Sequence, residues 1–321
     1  MTTCQPRKPG SRERRINFYI TRAAFLLAML QFWSSSTLLA QSFTSGTTAV
    51  KFGTHEIVLV GNGSVANPFD TSATVTFTPP SGSANSVTVR AFYDGGNTWR
   101  ARVYVTEAGL WNWTSSSAMD LLLNGGSGSF TAVNSNLPGI LKKDALNARA
   151  WRTDSGKWFV PISDAAWMLF GSQNPESIQY WQQFVQDDAA HGINVMGPIG
   201  MLGSSGTDAG PVNGNNDPWQ STPSLDFTRY DLSKFQTAES RLIWILNNYP
   251  DLFVQSVLLG TDQQFSWSAY SQSVRNNTMD YMIARWSAFP NLYWVISKDQ
   301  DASLNATLNF NREVGHYFED H

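Results

Sequence analysis

Cysteine is almost missing from this chain of 321 residues. The single cysteine, Cys4, lies near the amino terminus, and no Cys/His spacing typical of a zinc site occurs. The sequence therefore predicts no disulfide in residues 41–321, no metal site of the structural zinc type and no cofactor. No G-x-G-x-x-G or P-loop motif follows a predicted strand, so a nucleotide-binding fold is a weak alternative.

Charged residues are also few, at 15% of the chain, and they are unevenly placed. Residues 1–40 hold six of the 22 basic residues and one of the 25 acidic residues. Residues 41–321 therefore hold 16 basic and 24 acidic residues, a formal charge of −8. An acidic chain of this kind argues against nucleic acid or an anionic membrane as a partner.

The amino-terminal region has an apolar run, but it is shorter than the roughly 20 residues that a membrane-spanning helix needs. Residues 23–30 are apolar, follow six basic residues, and precede small residues that lead to Ala40. That order is typical of a secretory signal. The sequence predicts a signal peptide over residues 1–40, cleaved near Ala40, and a secreted or periplasmic protein; an uncleaved membrane anchor is the alternative.

Short β-branched and aromatic segments with period-two alternation run from residue 43 to residue 133. The segment 74–78, Thr-Val-Thr-Phe-Thr, is an example, and turns rich in Gly, Asn and Pro separate such segments. This pattern predicts an all-β sandwich over residues 41–135.

The periodicity changes after residue 136. Apolar strands are predicted over residues 158–162, 193–196, 253–259 and 292–296, and helices over residues 175–190, 235–248, 279–287 and 304–318. Strand–helix alternation predicts a parallel sheet. Long strand-to-helix loops and short helix-to-strand turns favour a (β/α) barrel over a doubly wound sheet. We expect residues 136–321 to form the amino-terminal half of such a barrel.

Several motifs resemble known families. Residues 92–99, F-Y-D-G-G-N-T-W, and 106–111, T-E-A-G-L-W, resemble the signature of the immunoglobulin-like domain DUF5060. Residues 158–167, W-F-V-P-I-S-D-A-A-W, resemble the opening of the apiosidase-like, DUF4038-type glycoside hydrolase barrels, and residues 191–195 are similar to their second strand.

This resemblance implies an enzyme that hydrolyses O-glycosidic bonds of polysaccharides or oligosaccharides, with an acid/base carboxyl at the end of strand four and a nucleophile at the end of strand seven. Asp299 matches the first position and is the predicted catalytic residue, although Lys298 beside it favours the ionised carboxylate. A complete (β/α)8 TIM barrel takes about 250 residues. The resemblance therefore implies a barrel truncated after strand four, without its nucleophile half, and whether this chain alone is an enzyme stays open.

Five further residues are predicted to bind substrate, since they are near strand ends and carry groups suited to sugars: Asp164, Trp167, Asn194, Asp262 and Trp267. Each has a plainer alternative, such as a helix cap for Asp164, packing for Trp167 and a turn for Asn194. The polar loop 197–224 is either flexible or an ion site. Trp99, Trp111 and Trp113 either pack in the sandwich core or form a sugar-binding face.

Two other functions remain compatible with this pattern: a non-catalytic carbohydrate-binding or adhesion module, and an inactive gene fragment. The sugar, the linkage, the stereochemical outcome and the oligomeric state are not predicted.

Overall fold

The computed structural model describes residues 41–166, 169–170, 175–197, 218–220, 226–259, 270–297 and 305–320. All of these residues belong to one compact unit, Ala40–His321. Within these ranges, no helix has the length and apolar character needed to cross a membrane. The predicted signal peptide, residues 1–40, lies outside the described residues.

Two β-sheets form the amino-terminal part. The first has the spatial order β1 (Phe43–Ser45), β3 (Thr54–Val60), β7 (Thr98–Tyr104) and β6 (Phe92–Gly95). The second has the order β2 (Thr48–Val50), β9 (Ser127–Val133), β8 (Gly109–Ser116), β4 (Thr74–Thr78) and β5 (Val87–Arg90). Neighbouring strands are antiparallel, except that β1 pairs with β3 and β2 with β9 in parallel.

A shared apolar core lies between these two sheets. Strand β4 shows how the alternation builds it, because Val75 and Phe77 are fully buried while the intervening threonines are partly exposed. Trp99 and Trp111 are also fully buried in this core, and Trp113 packs against it. Core packing therefore describes these tryptophans better than an exposed sugar-binding face.

The turn between β6 and β7 depends on glycine. Gly95 and Gly96 have φ angles of 105° and 57°, in a region that side-chain-bearing residues rarely adopt. The strand register shifts at the same place, between Tyr93 and Gly95. The Asp-Gly-Gly motif of the sequence is thus a turn that glycine alone forms without strain.

A second part begins with a three-stranded antiparallel sheet of β10 (Leu141–Lys143), β11 (Trp151–Thr153) and β12 (Trp158–Phe159). A four-stranded parallel sheet follows, in the order β13 (Ser163–Asp164), β14 (Val195–Met196), β17 (Phe253–Leu259) and β18 (Leu292–Ser297). A two-stranded ladder joins β15 (Trp219–Gln220) to β16 (Asp226–Tyr230).

Four helices alternate with the parallel strands. They are α1 (Pro175–Ala190), α2 (Leu232–Asn248), α3 (Gln272–Trp286) and α4 (Asn305–Asp320). Helix α2 begins three residues before its predicted start because the Asp231 side chain accepts a hydrogen bond from the Ser233 amide at 3.1 Å and caps the helix. Its apolar face, with Leu242, Ile245 and Leu246, is fully buried as expected from the helical spacing.

The predicted strand over residues 158–162 is divided between two sheets. Trp158 and Phe159 pair antiparallel with β11, whereas the parallel sheet begins only at Ser163. Pro161 lies between the two segments and has no N–H for a strand ladder, which explains the interruption.

Buried ion pairs join the two packed sheets to helices α2 and α3. Arg102 of β7 donates to Glu56 of β3 at 2.8 Å and to Glu239 of α2 at 3.1 Å. Arg285 of α3 donates to Glu239 at 2.5 Å and to Asp94 of β6 at 2.8 Å. Burial by itself would raise the pKa of Glu239, but the charges of Arg102 and Arg285 outweigh burial and lower its pKa to about 2.

Candidate active site

The carboxyl ends of β13, β14, β17 and β18 lie along one edge of the parallel sheet. The register places Asp164 beside Met196 and Leu259 beside Ser297, the last residue of each of these four strands. Ligands of parallel α/β folds bind outside the carboxyl ends of the strands. This edge is therefore the candidate active site.

Asp164 lies at the edge as predicted from its position after an apolar segment. Its carbonyl oxygen accepts a hydrogen bond from the Gly197 amide at 2.9 Å, which ties the end of β13 to the end of β14. The carboxylate is half-buried and has no hydrogen-bond partner among the described residues. Paired residues of neighbouring strands point to the same side of a sheet, so the Asp164 side chain lies on the same side as Met196 and Val254, which pack under the helices.

A second carboxyl group, Asp188 of α1, lies near Asp164. Burial raises the pKa of Asp188, and the negative charges of Asp164 and Asp187 raise it further. Within the described part of the chain, its Oδ2 atom is buried without a hydrogen-bond partner. The sequence alone did not single out Asp188, because it lies among polar residues in the last turn of a helix and nothing local indicates its burial.

Gln255 and Tyr293 occupy the opposite face of the sheet. They pair across β17 and β18, while their neighbours Val254 and Trp294 pack in the core under the helices. A Cβ atom added at Gly197 would lie 3.4 Å from Oε1 of Gln255, so the Gln255 amide is beside the end of β14. Burial raises the pKa of the Tyr293 hydroxyl. The polar pair Gln255-Ser256 inside an otherwise apolar strand was the available sequence signal for Gln255.

Phe253 and Phe159 occupy the amino-terminal end of this same face. Their rings meet edge to face with centroids 4.9 Å apart. Phe253 is fully buried and, as the strand neighbour of Val254, points to the opposite face of the sheet. The face opposite the helices is therefore apolar where the strands begin, and Gln255 and Tyr293 are the next residues along it.

Asn194 lies at the other end of its strand. It comes immediately before β14, where Oδ1 accepts from the Ile162 amide at 2.7 Å and Nδ2 donates to the Val160 carbonyl oxygen at 2.8 Å. The expected position at the end of the strand is not observed, because the turn after α1 places Asn194 at the start of β14. Both polar atoms of its amide bind backbone groups, as the alternative turn-stabilising role requires.

The remaining predicted site residues lie outside the described residues: Trp167, Asp262, Trp267 and Asp299. Strand β18 ends at Ser297, two positions before Asp299 in the sequence. Most of the loop 197–224 is likewise outside the described ranges. In the described part of the chain, no group of three or more potential metal ligands is found.

Comparisons with known proteins bear on both parts of the chain. Residues 48–118 match the family described as a domain of unknown function, DUF5060. The predicted DUF5060 domain is therefore confirmed over these residues. No curated protein matches the chain.

Among solved structures, a protein from Bacteroides vulgatus that is inferred to be a glycoside hydrolase is 21% identical, with a TM-score of 0.67. The match covers 79% of this chain and 50% of that structure, so this chain spans half its length. At this identity the likeness shows a shared fold over the matched region.

Two weaker likenesses carry no argument about the fold. β-Glucuronidase 3 of Bacteroides uniformis is 9% identical with a TM-score of 0.27, over 78% of this chain and 28% of that one. A pullulanase from Anoxybacillus is 8% identical with a TM-score of 0.18, over 81% of this chain and 44% of that one.

Proposed function

We propose that this protein is an exported glycoside hydrolase that acts on O-glycosidic bonds of polysaccharides or oligosaccharides. The observation that carries the proposal is the parallel sheet β13-β14-β17-β18, whose strands lie in chain order with their carboxyl ends at one edge. This order is that of the first four strands of a (β/α)8 barrel, and the edge is where such barrels bind substrates. The fold likeness to an inferred glycoside hydrolase supports the same conclusion.

In this proposal Asp299 is the proton donor. It follows β18 by two residues, and a carboxyl group at that position would face a sugar bound over the sheet edge. Asp164, the last residue of β13, would accept hydrogen bonds from sugar hydroxyls. Trp167, Asp262 and Trp267 follow β13 and β17 and would contact other faces of the sugar.

Gln255, on the face of the sheet opposite the helices, extends this set of residues. The Gln255 amide both donates and accepts hydrogen bonds, as sugar hydroxyls do. We therefore add Gln255 to the proposed substrate contacts and assign Asn194 to positioning the segment 160–162.

Glycoside hydrolysis requires a second carboxyl group opposite the proton donor. In this proposal the nucleophile comes from the second half of the barrel, which the predicted strands of this chain do not include. The two packed sheets of residues 41–135 would be an immunoglobulin-like sandwich, and residues 1–40 would direct export.

Hydrolysis by the natural gene product tests this proposal. The product is isolated from the source cells and assayed with neutral disaccharides and with 2,4-dinitrophenyl glycosides. In the Asp299→Asn product we expect kcat on disaccharides to fall at least about a hundredfold, because general acid catalysis contributes 10²–10⁴-fold. The kcat on the dinitrophenyl glycosides should fall far less, because dinitrophenolate leaves without taking up a proton.

The matched control is Asp301→Asn, which removes a neighbouring carboxyl group and should leave both rates within about twofold, since we assign it no proton transfer. An Asp299→Asn product that keeps its disaccharide rate would refute the assignment of the proton donor. A natural product with no activity on any glycoside would refute the hydrolase function itself.

A further inference from the structure

A cavity lies where the packed sheets meet helix α3 and strand β16, away from the edge of the parallel sheet. Its volume is about 220 Å³, and none of its lining residues belongs to β13, β14, β17 or β18. Pockets for drug-sized ligands measure about 300–1,000 Å³, so this cavity suits a ligand the size of one sugar residue.

Its walls are joined by contacts between the two parts of the fold. The Asn67 amide donates to the Thr228 carbonyl oxygen at 3.1 Å, and Arg229 donates to the Ala66 carbonyl oxygen. The Tyr281 hydroxyl donates to the Tyr93 carbonyl oxygen at 2.8 Å. The cavity is therefore formed before any ligand binds, which lowers the ordering cost of binding.

Polar side chains line the rim of the cavity. The Asp70 carboxylate and the Asn277 amide line the cavity, are exposed, and form no side-chain hydrogen bond with another described residue. Arg90 is paired with Asp280, whose second oxygen accepts from the Tyr317 hydroxyl at 2.6 Å. Asp70 supplies acceptors, Asn277 supplies both donors and an acceptor, and Arg90 has further N–H donors.

Aromatic rings form the remainder of the wall. Phe69 is held edge to face by Tyr93 and Tyr230, at centroid distances of 5.0 and 5.4 Å. Phe227 packs edge to face on Trp219 at 5.0 Å and keeps 36% of its surface exposed. A fixed, partly exposed ring provides an apolar surface for the C–H face of a sugar.

We propose that this cavity is a second carbohydrate-binding site, which holds one neutral sugar residue outside the proposed catalytic edge. Mixed donors and acceptors with an aromatic wall match a polyol. Among the described lining residues, Arg90 pairs with Asp280, so the Asp70 carboxylate has no opposite charge beside it, which disfavours an anionic ligand. The site joins the DUF5060 region to the parallel-sheet part, so it requires both.

Saturation-transfer NMR with methyl glycosides of glucose, galactose and xylose tests the site, with methyl glucuronide as the anionic comparison. The whole chain carries Asp299→Asn, so that a failure of the proposed catalytic site does not affect the result. We expect saturable binding of a neutral glycoside and weaker binding of the glucuronide. Asp70→Ala and Asn277→Ala should each weaken binding about fivefold, the usual effect of one hydrogen bond.

The matched controls are Asp187→Ala and Gln272→Ala, which remove exposed polar side chains that do not line the cavity. Both should bind the glycoside as the parent chain does. No saturable signal with any neutral glycoside would overturn the proposal. Equal binding by the parent, Asp70→Ala and Asn277→Ala chains would overturn it as well.

Discussion

His55 is a titratable residue in the core between the two packed sheets. It is fully buried and stacks on Phe130 with ring centroids 3.9 Å apart. Its Nδ1 atom lies 2.9 Å from Oγ1 of Thr44, and within the described structure its Nε2 atom has no hydrogen-bond partner. Burial therefore lowers the pKa of His55 from 6.5 to about 4.

This lowered pKa predicts acid sensitivity. The unfolded chain takes up a proton at His55 near pH 6.5, but the folded chain does so only near pH 4, so the free energy of unfolding falls as the pH falls between these values. The loss reaches up to about 3 kcal/mol at pH 4. Chemical denaturation at pH 7 and pH 4 measures it.

The variant His55→Phe keeps a ring on Phe130 and should lose this part of the pH dependence. The control His191→Phe changes an exposed histidine and should keep it. An unaltered pH dependence in His55→Phe would show that another group is responsible.

At the scale of elements, the connection between β12 and β13 depends on a side chain from the next strand. Pro161 interrupts the strand ladder here, and the Asn194 amide binds the backbone on either side of it, at Val160 and Ile162. One side chain thus binds a backbone group on each side of Pro161, which itself has no N–H to donate. The start of β13, and with it Asp164, depends on this contact.

We expect Asn194→Ala to lower the free energy of unfolding by about 2 kcal/mol, because two part-exposed hydrogen bonds of about 1 kcal/mol each are lost. Hydrogen exchange at the Ile162 amide should accelerate. Asn194→Asp keeps the acceptor for Ile162 but not the donor for Val160, so its loss should be intermediate. Slow exchange at Ile162 in Asn194→Ala would contradict the positioning role.

At the scale of the whole molecule, the packed sheets and the helices share buried charges and buried apolar surface. Glu239 accepts hydrogen bonds from Arg102, Arg285 and Trp286. Phe92 of β6 belongs to the apolar core that the helices form. These contacts indicate that residues 41–135 and the helices unfold together.

Glu239→Gln should therefore lower the free energy of unfolding by about 3–5 kcal/mol, the usual cost of leaving buried charges unpaired. Calorimetry should show one transition at lower temperature. The control Asp251→Asn removes an exposed pair with Lys157 and should cost less than about 1 kcal/mol. Two separate transitions in the parent chain would refute cooperative unfolding.

Much of the element order could be predicted from the sequence. The helix Pro175–Ala190 has its predicted bounds, and β17 and β18 begin where the apolar runs begin. The motif around Gly95 indicated the DUF5060 domain that the comparison confirms over residues 48–118. The sequence signals for the site were weaker, since they identified strand ends but not which side of the sheet each side chain faces.

Local patterns determined these features because hydrophobic periodicity, helix caps and glycine turns act between residues that are close in the chain. Tertiary structure alone decided the burial of Asp188, the contacts of Asn194 and the cavity beside Asn277. Arg102 and Glu239 are 137 positions apart, and Arg90 and Asp280 are 190 apart. Such pairs form only when packing brings distant elements together, and no local sequence pattern records that.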